Sequence, residues 1–150
     1  MQKILMVCLG NICRSALAEG IMLKLIKENN INMRVDSAGT SSHHVDEAPD
    51  HRTISNAAKH GIDLTTLRAR QFKASDFEKF DKIYVMDKSN MSNVLAMATT
   101  DDHKTKVDLL LNTSQPEQNL EVPDPYFGGE QGFEDVFGMV YKACQHIAFA

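Results

Sequence analysis

The chain has 150 residues, 43% of them hydrophobic, enough for one domain with a substantial core. Its net charge of −4, with lysines and arginines scattered, argues against a nucleic-acid surface, and the four-residue apolar run near the N-terminus, Ile4 to Val7, is too short for a signal peptide or a membrane span. Neither nucleic acid nor membrane is therefore expected as a partner, and an odd count of three cysteines suits a reducing, cytoplasmic setting better than a disulfide scaffold.

Ile4-Leu5-Met6-Val7 is continuously apolar and predicts a buried strand; Leu17, Ile21 and Leu25, with Ala18, Met22 and Ile26, repeat at helical spacing. Met33 to Asp36 predicts a second, short strand. Pro49 opens a helix that runs through Lys59 and ends at His60-Gly61. Lys82 to Met86 predicts a third strand, Asp87-Lys88-Ser89 the start of a further helix, and Val107 to Leu111 a fourth strand. After the Gly128-Gly129 turn, Phe133, Val136, Phe137, Val140, Cys144 and Ile147 make the apolar face of a C-terminal helix. Strands alternating with helices predict a single α/β domain over residues 1–150: a central four-stranded, parallel, twisted sheet covered by helices on both faces. A ligand loop at the carboxyl end of the first strand suits such a sheet.

The segment Cys8-Leu9-Gly10-Asn11-Ile12-Cys13-Arg14-Ser15 occupies that position. Five residues between Cys8 and Arg14 suffice to curl the backbone into a ring of inward N–H groups that suits inorganic phosphate or a similar oxyanion. The helix that follows adds its free amides and the positive end of its dipole, which favour a bound phosphate and, before it binds, a Cys8 thiolate. Arg14 can hold two phosphoryl oxygens through its planar fork, which a lysine cannot do. Gly10 permits close backbone approach, and Asn11 is the non-glycine type that best tolerates the left-handed region. Ser15 either donates to the thiolate or caps the helix. Read alone, Asp124, held between Pro123 and Pro125, is either a general acid or a turn former.

This loop, together with Asp36-Ser37-Ala38-Gly39-Thr40 and Val122-Pro123-Asp124-Pro125-Tyr126, resembles the low-molecular-weight protein-tyrosine phosphatase family, over essentially the whole chain. The resemblance implies that Cys8 attacks phosphorus to give a cysteinyl-phosphate, and that Arg14 clamps the phosphate. It implies that Asp124 gives the leaving phenol its proton and then activates water. Leu9, Gly10, Asn11, Ile12, Cys13, Ser15, His43 and Tyr126 would surround the substrate, a phosphotyrosine-containing protein, and Ser37 would support Asn11. The chemistry asks for no cofactor and no metal. His43, His44 and His51 lack the spacing of a structural zinc site. Cys13 resembles the family's reversible disulfide partner of the nucleophile, with a small apolar filler as the alternative, and Cys144 reads as core.

Two departures stand out. The family pattern often places a histidine before an Arg-Ala-Arg-Gln-like segment, where this chain has Leu67 before Arg68-Ala69-Arg70-Gln71. Where members commonly carry Trp or Tyr as a cleft wall, this chain has His43 followed by His44, either a smaller wall or two solvated loop residues. Three rival functions use similar parts. A thiol-dependent arsenate reductase needs redox cysteines downstream, where only Cys144 stands. A protein-arginine phosphatase has Thr at the place of Ile12. A non-catalytic phosphopeptide-binding module needs neither a thiolate nor a proton donor. Because attack wants Cys8 deprotonated and leaving-group departure wants Asp124 protonated, turnover of an aryl phosphate should peak on the acidic side of neutral; a rate climbing steadily to about pH 9 would contradict the assignment.

Overall fold

In the computed structural model, which describes residues 1–150, the apolar N-terminal run becomes β1 (Gln2–Cys8), the sheet's second strand. β2 (Met33–Gly39), β3 (Lys82–Val85) and β4 (Val107–Leu109) complete a four-stranded sheet of order β2-β1-β3-β4. All neighbours pair in parallel. Residues alternate across β1: Ile4, Met6 and Cys8 face one core, Leu5 and Val7 the other. The first core is roofed by α1 (Arg14–Asn29) and α6 (Gly129–Ala148), with Ala57 from α2 (His51–Lys59). Phe77 of α3 (Asp76–Lys79) and Val94 of α4 (Lys88–Leu95) pack on the second. A one-turn α5 (Asp101–Thr105) leads into β4. The expected parallel sheet with helices on both faces is thus present.

The boundaries differ from the sequence reading where tertiary pairing overrides local preference. β2 continues past Asp36 through Ser37, Ala38 and Gly39, three residues with little strand preference, because β1 supplies partners as far as Cys8 opposite Gly39. β4 stops at Leu109, and Leu110–Thr113 turns into a 3₁₀ helix. α2 starts at His51 because Asp50 caps it, its side chain accepting from the Arg52 N–H, so Pro49 lies just outside. α3 and α5, of four and five residues, are too short to show a period.

Two loops are held to the sheet's carboxyl edge. Gly39 lies under the loop after β1, where a Cβ would sit 2.8 Å from the Leu9 carbonyl oxygen. Gly132 in α6 admits the Pro125 carbonyl, which a Cβ would meet at 2.9 Å, so the segment around Asp124 rests directly on that helix.

Phe77 anchors the second core: it is fully buried, meets Phe72 edge-on at 5.3 Å and stacks on His103 at 4.6 Å. Phe77→Ala should destabilise the fold by about 3–5 kcal/mol, read as a lower urea midpoint at unchanged slope.

Candidate active site

β1 ends at Cys8 and α1 begins at Arg14, so residues 9–13 must reverse the chain over the sheet edge. The reversal is made by Asn11, whose φ of 56° is left-handed. Gly10 has no positive φ and provides the close approach expected of it: a Cβ there would stand 3.0 Å from Cδ2 of His44. The loop is tied down by the Thr40 and Ser41 N–H groups, which donate to the carbonyls of Cys8 and Leu9 at 2.9 Å each, and by Asp50 N–H to the Ile12 carbonyl at 2.6 Å.

Cys8 is 3% exposed, with its Sγ 2.9 Å from Ser15 Oγ and 3.3 Å from the Asn11 N–H that donates to it. Neighbouring bonds settle the direction of the hydroxyl. Asn11 Oδ1 accepts from Arg70 N–H at 3.0 Å, and a backbone N–H only donates, so the other end of the amide is NH₂. That NH₂ donates to both Ser15 Oγ and Ser37 Oγ at 2.8 Å. The Ser15 hydrogen is then free to point at sulfur, and the Ser37 hydrogen points at Glu19 Oε1, 2.5 Å away. Ser15 does not cap α1: its N-cap is Cys13, which makes no side-chain cap bond.

Arg14 is fixed from behind. Its Nη1 donates to Asp87 Oδ2 at 2.9 Å and to the Val122 carbonyl at 2.8 Å. Burial alone would lower the Arg14 pKa, but Cys8 and Asp87 outweigh it and hold the guanidinium charged. Asp87 is oriented in turn by a capping box with Asn90, accepting from its N–H at 2.8 Å while the Asn90 side chain accepts from Asp87 N–H at 3.3 Å. Asp124 sits across from the loop. Its Oδ1 accepts from Tyr126 N–H at 2.9 Å, capping the short 3₁₀ turn Pro125–Phe127 and leaving Oδ2 without a partner in the chain.

These groups enclose a cleft of 480 Å³, lined by Cys8, Leu9, Gly10, Ile12, Cys13, Arg14, His43, Asp124 and Tyr126, all expected from the sequence. Ser41 and Pro125 line it as well and were not singled out, and His44 joins His43 there, as the wall alternative had it. His44 Nδ1 lies 3.0 Å from Glu47 Oε2, which aims the opposite edge of the ring at the loop. The side chains of Asn11 and Ser15 lie beneath the loop, 2% and 0% exposed, and form with Ser37 a hydrogen-bonded support rather than touching the cleft. Phe127, next to Tyr126, is 94% exposed and does not line the cleft.

Cys13 faces the cleft as a thiol, pushed up to about 12 by burial, partly offset by the Thr53 hydroxyl that donates to it at 3.1 Å. All three cysteines are free, and Cys144 is fully buried, its thiol donating to the Ala18 carbonyl at 3.8 Å.

The Leu67 departure resolves here. Leu67 packs against the first core, and the network is closed by Glu19 and by Arg70. Arg70 is locked by Asp76, at 3.0 and 3.1 Å, and by Asp36 at 3.0 Å. None of Glu19, Arg70 or Asp87 was singled out from the sequence; for Asp87, its place before a helix with Asn90 three residues on was the available signal.

A parallel α/β sheet carrying a Cys-x5-Arg loop after its first strand, opposed by an Asp-Pro-Tyr turn, defines a class of cysteine-dependent phosphatases. Residues 3–150 match the family model described as "Low molecular weight phosphotyrosine protein phosphatase", and the chain belongs to that family of phosphoric monoester hydrolases. The human low molecular weight phosphotyrosine protein phosphatase is 39% identical over 147 residues, covering 96% of this chain and 92% of its own. A crystal structure of a protein tyrosine phosphatase from Entamoeba histolytica, with Hepes in the active site, superposes with a TM-score of 0.91 at 35% identity, covering 99% of this chain and 96% of that one. A Drosophila arginine phosphatase superposes with a TM-score of 0.88 at 33% identity, covering 98% and 95%.

Burial is the main cause that pushes Glu19 from 4.5 to about 7, with Asp36 adding to it and Ser37 and Arg70 opposing. A carboxyl whose folded value is raised stabilises the fold fully below the unfolded value, and that contribution fades as pH rises through about 7. Glu19→Gln should therefore flatten this part of the stability profile, with the variant gaining on the parent between about pH 5 and pH 8 in urea titrations. An unchanged difference between the two proteins across that range would contradict the assignment.

Proposed function

We propose that the chain hydrolyses phosphotyrosine in proteins, and small aryl phosphates, through a cysteinyl-phosphate intermediate. The observation that carries the reading is the placement of Cys8 Sγ, beside a Ser15 hydroxyl free to donate to it, at the base of a cleft that Arg14 and Asp124 also line. In the first step the thiolate attacks phosphorus, the ester P–O bond breaks, and Asp124 supplies the proton that the departing phenol oxygen takes up. In the second, Asp124 takes a proton from water, the water oxygen bonds to phosphorus, the S–P bond breaks, and inorganic phosphate and the Cys8 thiolate are released. Arg14 and the loop N–H groups hold the equatorial oxygens through both steps. The Ser15 hydroxyl stabilises the thiolate as attacking group and as leaving group.

Leu9, Ile12, His43, His44 and Tyr126 form walls of a size that suits a phenyl ring. Ile12 favours an aryl ester over phosphoarginine, which would place a charged guanidine against it. The reductase reading lacks a relay, since Cys144 is in the core on the α6 side and does not line the cleft. A cytoplasmic location follows as a proposal from the same chemistry, since a free Cys8 thiolate works only where thiols stay reduced.

Hydrolysis of p-nitrophenyl phosphate in EDTA should be abolished by Cys8→Ser. Asp124→Ala should lower turnover by about 10²–10⁴-fold on phenyl phosphate and progressively less as the leaving group improves. Equal losses across leaving groups would remove Asp124 from the acid role, and faster turnover of phosphoarginine than of phosphotyrosine peptides would reassign the substrate.

A further inference from the structure

Behind the Tyr126 wall lies a second groove, of 370 Å³, between α2 and the start of α6. Arg52, Ser55 and Lys59, spaced to share one face of α2, line one side, and Gly129, Glu130 and Phe133 the other. The groove is coupled to the cleft by one aromatic ring. The Arg52 guanidinium lies 4.7 Å from the centre of the Tyr126 ring and 5.2 Å from that of Phe133, and Tyr126, unlike Arg52, lines the cleft.

Arg52 is held in place yet uncommitted. Two ring faces order its guanidinium, which lowers the entropy lost on binding an anion. Its one carboxylate contact is Asp50 Oδ1, 3.5 Å from Nε, so the two outer nitrogens make no hydrogen bond within the chain, and the side chain is 54% exposed. By contrast, the cleft's own Arg14 and the supporting Arg70 are both closed off by carboxylates. Lys59 has no ion pair. The nearby Glu134 is occupied by Asn56 and His60, leaving Glu130 as the acidic group on the groove's lining.

We infer that this groove receives an anionic side chain of the substrate close to its phosphotyrosine, which makes Arg52 and Lys59 specificity-determining residues. The inference rests on the phosphotyrosine reading of the cleft. A substrate ring in face contact with Tyr126 would lie about 8 Å from the guanidinium, a span that an Asp or Glu one or two residues along an extended peptide covers at roughly 3.3 Å per residue. A second phosphotyrosine carries the same kind of charge, and its longer side chain reaches at least as far.

The test compares kcat/KM for phosphotyrosine peptides of one length whose flanking residues are Glu, Gln, Lys or a second phosphotyrosine, using the parent, Arg52→Gln and Lys59→Gln. The parent should favour Glu-flanked over Gln-flanked peptides by about three- to tenfold, and the preference should fade in about 0.5 M NaCl. Arg52→Gln should remove the preference and Lys59→Gln reduce it. The ratio is the diagnostic quantity, because a merely loosened Tyr126 wall would lower all peptides alike. A preference confined to the doubly phosphorylated peptide would identify the anion as a second phosphate. Equal kcat/KM for every flank in an active parent, or a preference that survives both substitutions, overturns the inference and leaves the phosphatase reading standing. A parent that turns over neither the peptides nor p-nitrophenyl phosphate overturns both.

Discussion

The carboxamide of Asn11 is the tie on which the cleft depends. In left-handed backbone at the tip of the loop, it reaches three separate parts of the chain: Ser15 at the start of α1, Ser37 in β2, and the Arg70 backbone ahead of α3. The contacts to Ser15 and Ser37 are buried and that to Arg70 partly so; losing either buried one leaves an unpaired polar group under the loop, at a cost of about 1–3 kcal/mol. The same contacts decide where hydrogens point. With both amide hydrogens spent on serine oxygens, the Ser15 hydroxyl is turned toward Cys8 and the Ser37 hydroxyl toward Glu19. Support and polarisation of the sulfur are therefore one network, and no serine in it can reorient without breaking a bond elsewhere.

Around this tie the protein manages charge by pairing. Arg14 is buried between the sulfur it faces and the Asp87 carboxylate behind it. An unpaired guanidinium in that position would be costly, and a flexible one would not hold a phosphate geometry. Arg70 is fixed by two carboxylates so that its backbone N–H meets Asn11, although its own side chain never touches the cleft. Where the family pattern often has a histidine, Leu67 gives its volume to the core, and Glu19 is left as the terminal acceptor, sufficiently buried to take up a proton near neutrality. The loop is thus held by a network in which Asn11, Ser15, Ser37, Glu19 and the Arg70 backbone satisfy one another.

The walls are built on a different principle from the floor. Leu9 is exposed, and the His43 imidazole, with His44 beside it, stands where a larger aromatic is common in the family. An imidazole covers less apolar surface than Trp or Tyr, so the ring wall at the mouth of this cleft is smaller and more polar. Tyr126 has Arg52 against it and the cleft beyond, which makes that ring the common boundary between phosphate chemistry and any reading of neighbouring residues.

Much of the fold and site was legible in the sequence because it is written in local patterns. The buried run before Cys8, the period-four stripe after Arg14 and the alternation of strands and helices determined the sheet, its parallel sense and the loop at its carboxyl edge. The spacing from Cys8 to Arg14 pointed to the loop's part of the cleft, and the family resemblance, rather than the prolines around Asp124 alone, pointed to the other side. What the tertiary structure alone decided are the contacts between residues far apart in the chain. Ser37-Ala38-Gly39 is a strand because β1 pairs with it; Asp87 meets Arg14 because β3 ends beside β1; Glu19 and Arg70 close the network because α1 and the segment before α3 converge beneath the loop. Helical period, loop spacing and capping act over a few residues and leave a trace in order and composition. A hydrogen bond across 73 positions, such as that from Arg14 to Asp87, exists only once the sheet has brought its ends together.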